Sequence, residues 1–410
     1  MALLALIYGL SAGIPLTPDA RITVFDVISI FVLVRYTGVA IRDVYLRRMA
    51  IFLAIYIAAL IASTQINGTP LESLARRGGS AVMLYLETAA IYVFLMRVTL
   101  RDQGVLLVAM MISSSFYLFY PLDARIPDAP LKFLLATPIT VLIGGIFFII
   151  KLPRFAATLA ISSVSMAFAI VFFTQGDRSP GGILVAFSFL VWISLPEDRL
   201  RQLKFRPWLL VKYFLVMAVA AYGLTELYTY AALAGYFGET AAGIAEFQSQ
   251  FFGSILLGGR PEILANLVAM YESPFVGWGP LAEDVPHQLL LVSLGIYGED
   301  WLEGDGSLYH SMIFGAGHEA GVTAPLFWIA LLYWCFKACL MSLSSRRKYK
   351  YFLPLWLNAI WNLLLSPLIS LNRPQIAAAV AFSFIVFVLP EFQRHATSSL
   401  ASLNHRATAR

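Results

Sequence analysis

Four side chains in this sequence combine a reactive type with an unusual setting: Arg178, Arg260, His310 and Glu319. Arg178 sits in the turn-forming stretch Thr174-Gln-Gly-Asp-Arg-Ser-Pro-Gly-Gly182, where an ion pair with Asp177 is the plain alternative to a functional role. Arg260 is the single Lys or Arg between residues 232 and 308, against ten acids, and an ordinary pair with Glu262 is its plain alternative. His310 opens Tyr309-His-Ser-Met-Ile-Phe-Gly-Ala-Gly-His-Glu-Ala-Gly321, with His318 and Glu319 about two helical turns further on. His310, His318 and Glu319 are metal-ligand types, yet eight residues is not a one-face spacing on a helix and no further strong ligand lies nearby. On a helix, Gly317 and Gly321 share a face, and small residues at that spacing admit close approach by another helix or a ligand.

Familiar catalytic signatures are missing. The chain has no Walker sequence, no Gly-rich dinucleotide fingerprint and no Ser nucleophile elbow. Glu303-Gly-Asp305 is a weak stand-in for a metal–nucleotide motif.

The elements that must position these residues follow from composition. Of 410 residues, 59% are hydrophobic and 13% charged, with mean hydropathy +0.76. Soluble domains are about 45–50% apolar and about 25% charged, so a soluble enzyme, a disulfide scaffold and a disordered chain are all excluded. The expectation is an all-α, polytopic membrane protein. Apolar runs lie near 2–16, 22–34, 49–64, 80–98, 104–120, 132–150, 155–173, 181–195, 208–231, 321–343, 351–369 and 375–390, about twelve spans, of which the first two are short. The first run lacks a basic leading region and reads as a transmembrane helix, not a cleaved signal peptide. Cys335 and Cys339, four apart in an apolar run, read as packing residues.

Charge sets orientation. Three loop clusters (Arg35, Arg42, Arg47 and Arg48; Arg199, Arg201, Lys204 and Arg206; Arg346, Arg347, Lys348 and Lys350) fall on one side with the tail residues Arg394, Arg406 and Arg410. That side is the cytoplasm by the positive-inside rule, with Arg76 and Arg77 the main exception on the opposite face. The net charge of +5 and pI near 9.1 therefore belong to cytoplasmic loops, and nucleic acid is not expected as a partner. The expected organisation is spans 1–9 over 1–231, a long outer loop over 232–308, spans 10–12 over 309–390 and a cytoplasmic tail over 391–410.

A loop of that length is functional or disordered, and its Phe, Leu, Trp and Tyr content argues against disorder. After Pro261, residues Ile263, Leu264, Leu267, Val268 and Tyr271 keep helical spacing up to Ser273-Pro274, which predicts an amphipathic helix against the membrane face or the bundle. Few charges lie deep in the spans; Glu87 is the clearest, and Lys337 can snorkel from a cytoplasmic end. That scarcity weighs against an ion-coupled transporter, which needs mid-membrane carboxylates.

In order along the chain, these features resemble the O-antigen ligase/polymerase superfamily. His310-Ser311 through Glu319-Ala-Gly321 resembles its His-[Asn/Ser]…Glu-x-Gly-x-x-Gly segment, including the ten-residue interval from His310 to Gly321. Arg260-Pro-Glu-Ile-Leu264 is similar to its Arg-x3-Leu motif, Pro274-Phe-Val-Gly-Trp-Gly279 to the Gly-x-Gly turn that follows, and Thr174…Arg178…Gly181 to its Thr-x-Ser-Arg-Gly turn in looser form. Ala324 departs from the last glycine, Ser311 stands where Asn is frequent, and Asp177 precedes Arg178 where Ser is common. The matched stretch runs from about 170 to 325.

The resemblance implies a GT-C-like, metal-independent, inverting glycosyltransferase of the bacterial inner membrane that needs no cofactor and works on the periplasmic face. Its donor would be an undecaprenyl diphosphate-linked glycan, and its acceptor either lipid A–core (a ligase) or another lipid-linked glycan (a polymerase). One sizeable outer loop leans to ligase. Arg260 and Arg178 would bind the diphosphate, since guanidinium is always charged and bidentate toward phosphate. His310, with an ordinary pKa of ~6.5, would be the base for the acceptor hydroxyl or a further diphosphate ligand. Glu319 would orient His310, cap the site, or serve structure alone. A lipid-linked oligosaccharide flippase and a non-catalytic scaffold are the competing readings.

Overall fold

Short polar signals start and stop the helices. Thr23 and Asp26 form a reciprocal capping box at the start of the helix Val24–Arg35, and Thr99 and Asp102 repeat it before Leu100–Ser113. Asp43 accepts the Tyr45 and Leu46 amides to open Val44–Asn67, which Gly68 closes in the left-handed region at φ +65. The computed structural model describes residues 1–17, 22–119, 130–150, 152–175, 177–194, 219, 222–223, 226–239, 242–243, 245–246, 261–281, 285–294, 308, 311–343, 348–368 and 372–388. Arg260 and His310 lie outside the described residues, as do most of the expected ninth span, the basic stretch 199–206 and the tail.

The helices are α1 (Ala2–Leu10), α2 (Val24–Arg35), α3 (Thr37–Arg42), α4 (Val44–Asn67), α5 (Leu71–Leu95), α6 (Leu100–Ser113), α7 (Ala136–Ile149), α8 (Arg154–Thr174) and α9 (Arg178–Ile193). After the partly described stretch come α10 (Glu262–Glu272), α11 (Val285–Ser293), α12 (Met312–Ala320), α13 (Pro325–Leu343), α14 (Leu353–Leu365) and α15 (Arg373–Val388). Among the described residues no strand forms; one isolated bridge joins Pro15 to Thr23. The protein is helical, and α4, α5, residues Phe155–Thr174 of α8, and α13 are long and apolar enough to cross a membrane. The 24 residues of α4 span about 36 Å at 1.5 Å each. Shorter apolar helices cover Ala2–Gly13, Ala136–Ile149, Arg178–Trp192 and Arg373–Val388. This is a membrane protein.

Packing runs α1 on α6, α2 on α5, α8 on α9, and α4 between α5 and α13. Trp356, Tyr92, Phe25, Phe327, Phe382 and Phe384 are fully buried in one core. Cys335 and Cys339 are buried free thiols inside it. Two boundaries bear on the site. The apolar run at 80–98 reads as one span, but the helix begins at Leu71, so Arg76 and Arg77 sit in its opening turns and not in a loop. The helix of the His310 segment stops at Ala320: Gly321 takes φ +74 and ends it, so it does not share a helix face with Gly317.

Candidate functional site

The site is built around α12, a nine-residue helix that is buried at Met312, Ile313 and every position from Gly315 to Ala320. Ser311 caps its start by accepting the Phe314 amide at 3.2 Å. At its far end the helix leaves carbonyls without intrahelical partners, and a strap over 273–281 supplies donors to two of them. Trp278 N donates to His318 O at 2.9 Å, Gly279 N donates to Glu319 O at 3.0 Å, and Val322 N donates back to Pro274 O at 2.8 Å. From α4, Ser63 Oγ donates to Glu319 O at 2.7 Å, and Asn67 Nδ2 donates to Gly277 O at 3.2 Å.

This contact needs its glycines. Gly277 has φ +70, and a Cβ there would lie 2.5 Å from Ala320 N, Glu319 C and His318 O. At Gly321 a Cβ would lie 2.5 Å from the Phe275 carbonyl carbon. Backbone meets backbone with no side chain between them. Gly317 does serve close approach, because a Cβ there would collide with Met270 of α10.

Glu319 is fully buried, and two donors fix one of its oxygens. Arg77 Nε donates to Oε1 at 2.6 Å, and Leu281 N donates to the same atom at 3.2 Å. Leu281 adopts φ +51, a conformation that costs a bulky L-residue roughly 1 kcal/mol or more, and its amide reaches the carboxylate from there. Glu319 Oε2 is buried with no hydrogen-bond partner among the described residues. A cleft beside this pair is lined by Arg77, Ser80, Ser311, Glu319, Ala316, Tyr56 and Trp328.

His318, also fully buried, is held differently. Its Nδ1 lies 2.8 Å from Asn266 Oδ1, while Asn266 Nδ2 donates to Leu308 O at 2.8 Å. With the Asn266 amide oriented that way, the network assigns the Nδ1 proton to His318. The His318 ring lies 5.7 Å from His287, which bonds Glu272 Oε2 at 3.0 Å. His318 therefore ties α12 to α10 and α11. Among the described residues no cluster of three His, Cys, Asp or Glu has metal-binding geometry.

The structure brings Glu319 to Arg77, a residue that sequence reasoning registered only as an exception to the charge rule. Its signal was that exception: a cation on the side where the charge rule expects few. Arg178 is half-buried at the first turn of α9, with its guanidinium carbon 5.8 Å from the Tyr228 ring. That ring stacks on Phe237 in a separate small cluster with Phe173.

A second polar centre is buried between α2, α5 and α15. Arg373 Nη2 donates to Asp26 at 2.8 and 2.9 Å, and Arg373 Nε donates to Glu87 Oε1 at 2.6 Å. The three side chains are 5%, 1% and 0% exposed, so their charges are shielded from solvent. Glu87, the clearest deep charge in the sequence, thus belongs to an ion triad. No family model, curated protein or solved structure matches the chain. Fold and site together define a helical membrane protein with a buried Arg–Glu cleft beneath a glycine-bearing strap.

Proposed function

We propose that the chain is a membrane glycosyltransferase resembling the O-antigen ligase/polymerase superfamily. In this reading about twelve spans form a GT-C-like bundle in the bacterial inner membrane, and the active site faces the periplasm. Glycan passes from an undecaprenyl diphosphate-linked donor to lipid A–core or to a second lipid-linked glycan, with a lean to lipid A–core.

One observation carries the reading. The family-like turn Pro274–Gly279 and the end of the His310–Gly321 segment, about forty residues apart in sequence, form one hydrogen-bonded unit. Their glycines stand where only glycine fits. That is the behaviour of motif positions that assemble a site.

The chemistry follows from charge development. The acceptor oxygen bonds to the anomeric carbon as the bond from that carbon to the diphosphate oxygen breaks, and the electron pair leaves on the diphosphate. Arg260 and Arg178 stabilise that charge without a metal. His310 takes the acceptor proton or adds a contact to the diphosphate. The test is purified protein in liposomes with lipid-linked glycan. Transfer to lipid A–core identifies a ligase, and elongated lipid-linked product identifies a polymerase. Movement across the bilayer without bond formation replaces the reading with a flippase. That second reading has its own support in the Asp26–Glu87–Arg373 triad, since buried membrane charges often mark ion pathways. Arg373 spans both carboxylates, however, which is the arrangement of a lock between helices.

A further inference from the structure

The Arg77–Glu319 pair leaves one carboxylate oxygen over. Oε1 takes the Arg77 and Leu281 donors, while Oε2 is buried with none among the described residues. A buried acceptor without a donor costs about 1–3 kcal/mol, more when charged, and a donor that enters the cleft would recover that cost at Oε2. Glu319 lines the cleft shared with Ser80, Ser311 and Ala316, and the cleft has room for about one water-sized group.

These features select the chemistry of the occupant. A phosphate would set its negative charge against the Glu319 carboxylate. An ammonium would meet Arg77, whose side chain is only 16% exposed and lines the same cleft. A neutral hydroxyl suits both: it donates to Oε2, fits the available room and brings no charge.

We propose that this cleft is a neutral hydroxyl subsite, in which Glu319 Oε2 accepts a hydrogen bond from a glycan hydroxyl and Arg77 is the positioning residue that holds the carboxylate. That the hydroxyl belongs to a glycan, and to the acceptor, rests on the glycosyltransferase reading; the neutral subsite itself does not. The diphosphate then belongs elsewhere in the molecule. Recognition of the hydroxyl is divided from stabilisation of the leaving group.

The experiment uses the full chain in nanodiscs and a panel of methyl glycosides (gluco, galacto, manno and their N-acetylamino forms), with inorganic pyrophosphate as the anionic probe. Saturation-transfer NMR reads glycoside binding. At least one glycoside is expected to bind the wild type, and Glu319→Gln, which turns an acceptor into an amide, is expected to weaken it at least roughly tenfold, as for loss of a charged hydrogen bond. Ser80→Leu adds bulk to the cleft from a half-exposed position without touching the ion pair, and it should block the same glycoside while thermal stability stays at wild type. Arg77→Lys keeps the charge but loses the Nε contact, so weaker binding should return in part compared with Arg77→Ala. Pyrophosphate should not compete with the glycoside. Absence of binding by every glycoside, equal binding by wild type and Glu319→Gln, or displacement of the glycoside by pyrophosphate overturns the proposal. The liposome transfer assay separates the two claims. Glycoside binding that depends on Glu319 without any glycosyl transfer leaves the subsite and removes the glycosyltransferase. Transfer with an unchanged acceptor KM in Glu319→Gln does the reverse.

Discussion

Gly277→Ala is the most direct probe of the junction between the strap and α12. The added Cβ requires the left-handed conformation of an L-residue, about 1 kcal/mol. It also projects to 2.5 Å from three atoms of the α12 terminus, Ala320 N, Glu319 C and His318 O, all backbone. No rotamer change relieves a clash with backbone, so the strap must lift. Lifting breaks the Trp278–His318 and Gly279–Glu319 hydrogen bonds, each worth about 1 kcal/mol. The sum is about 3 kcal/mol in the local opening equilibrium, or roughly two powers of ten. Hydrogen exchange read by mass spectrometry on peptides covering 277–281 should show the Trp278 and Gly279 amides exchanging about a hundredfold faster. Gly238→Ala is the control: it also has positive φ, at +86, but no described residue lies within 4 Å of its Cβ, so exchange in the strap should not change. Wild-type exchange rates in Gly277→Ala would refute the claim that this glycine makes the contact.

Further outcomes are expected at the other charged positions. Arg373→Met strands Asp26 and Glu87 in a buried site and should cost about 3–5 kcal/mol, read as a large fall in the thermal unfolding midpoint in detergent; unfolding at the wild-type temperature would show that the triad is not a lock. Arg260→Ala and His310→Ala should each abolish transfer with protein level and donor supply intact, and near-normal product from either would sink its assignment. The loss at His310 should be ~10²–10⁴-fold if it moves the proton, whereas a few-fold loss would assign it a secondary role. Transfer should survive EDTA; inhibition reversed by a divalent cation would replace the arginine-only account with a metal-assisted one.

Much of the fold was legible because hydropathy is a local property. The apolar runs at 49–64 and 155–173 correspond to α4 and α8, and the helix expected after Pro261 is α10. The start of α5 was missed because Leu71–Gly79 contains Glu72, Arg76, Arg77 and two glycines, which read as loop. Hydropathy measures only lipid compatibility, and a helix that protrudes from the apolar layer into a polar site has no such signal. Glu319 was picked out from the motif, but its partner was not, because Arg77 lies 242 residues away and no local pattern links them.

The sequence alone determined the class of protein, the glycine turn at 277–279 and the shortlist of polar residues, since composition, φ preference and residue type are carried by each segment separately. Gly321, by contrast, read as a helix-face glycine, and the structure made it a helix stop. Only the tertiary structure decided which of those residues meet. It joined Arg77 to Glu319, turned His318 toward Asn266 and drew Asp26, Glu87 and Arg373 into one buried triad. Burial is the reason: charges and carbonyls removed from water must find partners wherever packing brings them, and packing brings together segments that are hundreds of residues apart.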